Sequence, residues 1–168
     1  MAYYEGMDTL FVNIRSCYNE AEFLLEIVFM STQGKGSSDY TAELRAKEIN
    51  EPIASFLNMR LVELAPGYAK VAMKLKPEHV NFNGVIFGGI IMSLADQAFA
   101  YTINSVSHPS VATQFNIYLI AGAEVGDELT AEGRVVKSGR RVGVSEMTVT
   151  NQAGKLIAKA TGATVNLG

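Results

Sequence analysis

Cysteine, histidine and tryptophan are almost missing from this sequence: 168 residues hold one cysteine, two histidines and no tryptophan. With Cys17 as the single thiol no intrachain disulfide can form, and such sparing use suits a reducing cytoplasm. His79 and His108 stand in the loop-like contexts PEHV and SHPS, without the clustered spacing that a metal needs. No metal is expected, and both histidines read as surface residues. Charge is scarce too. Charged residues make up 18% and the net charge is −3, which gives no electrostatic pull toward nucleic acid or an anionic membrane. Long apolar runs are also missing. The stretch from Phe23 to Met30 is broken by Glu26 and falls well short of the roughly 20 residues that span a bilayer as a helix. The opening MAYYEGMDTL has no basic region and no small-residue cleavage site follows it, so a signal peptide is not expected.

What is present is a hydrophobic content of 48%, enough for one globular domain without disulfides or metal. Leu10, Ile14, Cys17, Tyr18 and Ala21 recur at roughly helical spacing, and the small polar run STQGKGSSD after Met30 reads as a linker. The chain therefore divides into an N-terminal extension and linker, residues 1–41, and a main domain, residues 42–168. Met30 directly before the linker leaves open a start there, with the preceding segment an accessory extension or a start-site artefact. Mass spectrometry of the native protein distinguishes the two.

From Ala42 to Leu57 the apolar spacing predicts a short helix interrupted or restarted at Pro52. Alternation about the turn Ala65-Pro66-Gly67 predicts a β-hairpin. GGIIMSLADQAFAYTINS then carries apolar residues around nearly its whole circumference, which predicts a buried helix. Four strands are expected after it, at Val111–Leu119, Glu128–Val136, Arg141–Thr150 and Leu156–Val165. Connections too short for crossover helices imply an α+β fold, a largely antiparallel sheet with one face wrapped on the single central helix. Ala158, Ala160 and Gly162 alternate on the last strand, small enough for that helix to come close.

Within the helix Asp96 is the anomaly. Ile91, Leu94, Ala95, Ala98 and Phe99 surround it, and a buried carboxylate is costly unless it is paired or used. It is read either as functional or as a residue that emerges through a polar sector made by Ser93 and Gln97. Gly88 and Gly89 open the helix, where unpaired N–H groups and the positive dipole end can polarise a carbonyl; equally, the glycines can serve only close packing. Eight residues at helical rise put Gly88 and Asp96 about 12 Å apart, too far for one carbonyl to touch both. If both serve one reaction they come from different protomers, with two helices antiparallel across a dimer interface.

The segment NFNGVIFGG followed by LADQAFAY resembles the phenylacetic-acid-degradation type of hotdog-fold acyl-CoA thioesterases, whose motif runs Asn, Gly, His-Gly-Gly, then Leu-Ala-Asp. The resemblance extends from about Asn58 to the C-terminus, including VGDELTAEG and KSGRRVG. It implies a hotdog fold, a curved antiparallel sheet around one long helix, here with an N-terminal helical extension. It implies that Asp96 is general base or nucleophile, that the Gly88 N–H receives the thioester oxygen with Gly89 beside it, and that Asn81 positions the carbonyl or water. Thr113 and Gln114 lie where relatives place a water-orienting hydroxyl, and which of the two aligns is left open. Lys137, Arg140 and Arg141, with Arg134 near them, match the basic side chains that contact the phosphates of coenzyme A, while the default reading of the residues themselves is a solvated turn.

Phe87 departs from the motif, standing where the histidine is usual. A thiolate of pKa near 8.5 leaves near neutral pH without strong acid assistance, so the histidine is dispensable in principle. Phe87 instead offers an apolar wall to the acyl group, or simply packs. The expected activity is hydrolysis of an acyl-CoA to free acid and coenzyme A, with no cofactor, by a homodimer or dimer of dimers whose acyl tunnel lies between protomers. The alternatives are a non-catalytic acyl-CoA binding module and, third, a hotdog dehydratase or hydratase, for which neither histidine is well placed.

Overall fold

A computed structural model describes residues 39–167 of the chain. The helix expected before residue 30 and nearly all of the linker lie outside the described residues. The compact unit that holds them begins at Ser38. It opens with α1 (Thr41–Glu48) and α2 (Pro52–Leu57). Pro52 sits in the first turn of α2, where its missing N–H costs nothing, and Asn58 closes the helix in the left-handed region at φ 55°.

The hairpin of β1 (Met59–Ala65) and β2 (Tyr68–Lys74) follows, then a single 3-10 turn at Pro77–His79 and the long helix α3 (Gly88–Asn104). Four strands complete the unit: β3 (Ser110–Leu119), β4 (Glu128–Ser138), β5 (Val142–Asn151) and β6 (Leu156–Asn166). They form one six-stranded sheet in the order β1-β2-β4-β5-β6-β3, antiparallel throughout. β3 is an edge.

The sheet curves around α3, whose Leu94, Ala95, Ala98, Phe99 and Ile103 are fully buried against alternate residues of the strands. Close approach is built into the sheet, since a Cβ on Gly162 would lie 2.6 Å from Phe99 Cζ. Glycine there lets the ring lie flat against the strand, as the alternation Ala158, Ala160, Gly162 suggested.

Two expectations need correction. α3 is not covered all round: Met92, Asp96 and Ala100, one turn apart, form a strip open to solvent on the protomer. Nor are the histidines both surface residues. His79 is buried, its Nδ1 accepting from the Lys76 N–H, and His108 is partly covered, held by Asn104 Oδ1 at 2.8 Å and the ring of Tyr40.

Candidate active site

The loop before α3 is shaped by its own hydrogen bonds. Val80 and Ile86 form an isolated antiparallel bridge, and the Asn81 N–H donates to the Val85 carbonyl at 2.8 Å. Asn81 Oδ1 accepts from the N–H of Asn83 at 2.9 Å and of Val85 at 3.4 Å. That oxygen holds the loop, so what Asn81 can offer a substrate is its amide NH2. The Phe87 N–H donates to the His79 carbonyl, and the Phe87 carbonyl accepts from Ile90 N. His79 thus sets the point at which the chain turns into the helix.

Phe87 is extended (φ −65°, ψ 124°), and the next two N–H groups, of Gly88 and Gly89, belong to the first turn, where no helical carbonyl can reach them. Neither finds an acceptor among the described residues. Both glycines also serve packing: a Cβ on Gly88 would come within 2.6 Å of Leu119 Cδ1, and one on Gly89 would run into the ring of Phe87. The functional and packing readings of the pair hold together.

Asp96 stands two turns along α3 on the open strip. Among the described residues no hydrogen bond or ion pair holds its carboxylate. Although solvent reaches it on the single protomer, its apolar surroundings withdraw enough water to raise its pKa above the ordinary 3.8. The polar sector drawn from Ser93 and Gln97 turns out differently. Ser93 Oγ donates to the Gly89 carbonyl, while Gln97 is buried and donates to Glu51 Oε2 at 2.7 Å. Tyr101 donates to the same Glu51 oxygen, and desolvation, then that bond, hold its phenol protonated well above pH 10. Glu51, at the start of α2, thereby ties that helix to α3 beside Asp96. The sequence reading passed over Glu51, because its partners Gln97 and Tyr101 lie more than forty residues away on another element.

Thr113 and Gln114 lie on the β3 edge at a bulge: Ala112 pairs with Thr164 and Gln114 with Ala163, so Thr113 is the extra residue. Phe115 faces α3, its ring 5.8 Å from that of Phe99. Alternation then turns Gln114, neighbour of Phe115, to the outer face of the sheet, away from the helix, which corrects its candidacy. Thr113, with its hydroxyl donating to the Ala163 carbonyl, is the better placed of the two.

Lys137, Arg140 and Arg141 are exposed about the β4–β5 turn, without an ion pair among the described residues. Arg134 is set apart, stacked 4.6 Å over the ring of Tyr68 on the outer sheet face. Among the described residues no three His, Cys, Asp or Glu side chains group to hold a metal ion, and no helix is long and apolar enough to cross a membrane. Beside Gly88 opens a cavity of about 570 Å³, bounded by Val85, Ile91, Leu119, Ala123 and Val125 among others.

The arrangement agrees with comparison to known proteins. The family model of the thioesterase superfamily matches residues 83–158. The chain is 42% identical over 113 residues to a protein of Archaeoglobus fulgidus, covering 67% of this chain and 73% of that one. It is 32% identical over 119 residues to the Escherichia coli acyl-coenzyme A thioesterase PaaI, covering 71% of this chain and 85% of PaaI. The solved structure of E. coli PaaI superposes with a TM-score of 0.73 at 30% identity, over 77% of this chain and 96% of that one. A Streptococcus mutans protein bound to acetyl CoA superposes with a TM-score of 0.65 at 32% identity, over 67% and 91%. The antiparallel sheet around α3, the Gly88-Gly89 helix start and these likenesses make the chain a member of the thioesterase superfamily, of the PaaI-like hotdog type.

Proposed function

We propose that this chain hydrolyses acyl-CoA thioesters in a site shared by two protomers. The observation that carries the reading is the pairing on α3 of unoccupied N–H donors at Gly88 and Gly89 with an unpartnered carboxylate at Asp96, about 12 Å further along the axis. Named relatives act on or hold molecules of this class: E. coli PaaI is an acyl-coenzyme A thioesterase, and the S. mutans neighbour holds acetyl CoA.

The open strip Met92-Asp96-Ala100 and the free, largely apolar edge of β3 support the assembly that this distance demands. Two α3 helices running antiparallel set the Gly88 of one protomer opposite the Asp96 of the other. A dimer, alone or paired into a tetramer, is the form proposed, working in the reducing cytoplasm that the single thiol suits.

In that site the thioester oxygen accepts from the Gly88 N–H, and the Asn81 amide helps hold the carbonyl or the water. Asp96 removes a proton from water as its oxygen attacks the carbonyl carbon, and the negative charge gathers on the oxygen facing Gly88. As the carbonyl re-forms, the carbon–sulfur bond breaks, its electron pair leaves with the sulfur, and the proton taken up by Asp96 passes to that thiolate, giving free acid and the thiol of coenzyme A with Asp96 ionised again. Direct attack by Asp96 gives the same products through a mixed anhydride that water then opens. Neither route draws on a cofactor, since coenzyme A enters as part of the substrate. Thr113 orients the water, and Lys137, Arg140 and Arg141 face the phosphates.

Phe87 keeps one other reading alive, a site that binds acyl-CoA without cleaving it. Thiol release by the wild type and by Asp96→Asn separates the two. The expected result is turnover by the wild type and loss of most of it in the variant, with fold and assembly unchanged. Tight acyl-CoA binding without thiol release by the wild type would establish the binder.

A further inference from the structure

α3 rests in the curved sheet on contacts that have little direction. Leu94, Ala95, Ala98, Phe99 and Ile103 meet the strands by apolar packing, Phe99 over Gly162 and Ile103 over Gly143. Such a surface fixes the depth of the helix better than its roll about its own axis, and the roll decides where Asp96 points. Among the described residues, only two side chains from Gly88 to Ile103 hydrogen-bond to another element. Gln97 donates to Glu51 Oε2 at 2.7 Å, and the Tyr101 hydroxyl donates to the same oxygen. The next such bond comes from Asn104, the last residue of the helix, which is held to the Ser110 backbone.

We infer that Glu51 is a positioning residue for the hydrolysis: its carboxylate holds α3 at the roll that turns Asp96 toward the thioester, and takes no part in bond making itself. The inference rests on the thioesterase reading and adds to that site a residue from outside the helix and its leading loop. Gln97 directly follows Asp96, and Tyr101 stands one turn beyond Gln97, so the two donors form a line beside the open strip Met92-Asp96-Ala100. Both are buried, and a buried polar side chain on an apolar helix needs its partner. Two bonds on one flank, off the axis, resist rotation.

Glu51 is free for this task and firmly founded. It occupies the N-cap of α2, yet its side chain makes no capping bond there. Among the described residues no lysine or arginine pairs with it, which leaves the two neutral donors on α3. The helices that carry it are fixed to β1. The Leu61 N–H donates to Glu48 Oε1 at 3.0 Å, Arg45 reaches the Leu64 carbonyl at 3.4 Å, and Leu44, Ala54 and Leu57 are buried. The frame of the sheet thus reaches Asp96 through Glu51. A helix with its side chains is about 10–12 Å across, so about 10° of roll moves a carboxylate on its rim by about 1 Å. A misplacement of about that size costs on the order of 100-fold in rate.

The test is thiol release by Glu51→Ala and Glu51→Gln, each with Asp96 present and in Asp96→Asn, from whichever of acetyl-, octanoyl- and phenylacetyl-CoA the wild type turns over fastest. With Asp96 present, Glu51→Ala should lose about 10- to 100-fold in kcat with KM within about twofold. Glu51→Gln keeps an accepting oxygen and should stay within about threefold of the wild type. In Asp96→Asn there is no base left to aim, so adding Glu51→Ala should lower the residual kcat by less than about twofold. Should Glu51→Ala fail to fold, Tyr101→Phe removes one of the two bonds and should lower kcat at least about threefold with Asp96 and not without it. An undiminished kcat, equal losses in the two backgrounds, a loss confined to KM, or a Glu51→Gln as slow as Glu51→Ala overturns the positioning role while thioester hydrolysis stands. No thiol release by the wild type from any of the three substrates overturns both readings.

Discussion

Leu119, the last residue of the edge strand, closes against Gly88, the first residue of the central helix, so tightly that a Cβ on the glycine would lie 2.6 Å from Leu119 Cδ1. One contact thereby joins the proposed oxyanion donor to the end of the edge strand and to the wall of the cavity beside it. A methyl group at position 88 has to push Leu119 aside. Gly88→Ala should therefore lower kcat/KM while retaining the backbone N–H, and Leu119→Ala in the same chain should restore part of the loss. Steady-state kinetics of the two single variants and the double variant measure this coupling.

Asp96 supplies the pH dependence. Desolvation raises its pKa above 3.8, and a general base works only when ionised, so kcat/KM should fall on the acid side with an apparent pKa above the ordinary carboxylate value. Asp96→Asn should lose roughly 100- to 10,000-fold in kcat, and its residual rate should lack that acid limb. A limb that persists in the variant would assign the titration to another group.

The same shift bears on stability. Folding favours the protonated Asp96, so the stability it contributes is complete below its unfolded pKa near 3.8 and is lost as the pH rises through the higher folded value. At neutral pH the ionised carboxylate weighs against the fold. Asp96→Asn should accordingly melt above the wild type at pH 7, with the gap closing below about pH 3. Thermal melts across that range check the sign.

Phe87, at the position where the motif this segment resembles has a histidine, lays its ring against Gly89. Since a thiolate leaves readily, Phe87→His should change kcat by less than about tenfold. A larger rise would mean that acid assistance or carbonyl polarisation limits the natural chain.

The exposed cations at the β4–β5 turn should act on binding alone. Arg140→Ala or Arg141→Ala should raise KM for acyl-CoA by about tenfold with little change in kcat. Thioesters of N-acetylcysteamine, which lack the phosphates, should show no such change.

Much of this was legible in the sequence. Strand alternation and the apolar sweep of residues 88–105 placed all six strands and the central helix, because period and turn residues are local signals. Exposure was not legible. Met92 and Ala100 look like core residues in sequence, and their strip with Asp96 is open because the sheet wraps one side of α3, a property of curvature. His79 looks like a loop residue and is buried because its carbonyl anchors Phe87, a contact eight residues away. The Thr113 bulge changes which side chains face the helix, and one extra residue in a ladder has no local signature. Glu51 bonds to Gln97 and Tyr101 across more than forty residues, a separation that spacing within a single helix cannot reveal.

The central claim is that Asp96 and Gly88 meet only across two protomers, and subunit mixing tests it most directly. Asp96→Asn removes the base, and Gly88→Pro removes the N–H at the first helical position after a residue already extended, carried together with Leu119→Ala so that the ring does not meet Leu119 Cδ1. Each variant alone should release almost no thiol. Unfolded, mixed and refolded in equal amounts, they should recover about a quarter of wild-type activity, because half of the dimers are mixed and each mixed dimer holds one intact site out of two. No recovery from folded, mixed dimers would contradict the shared site.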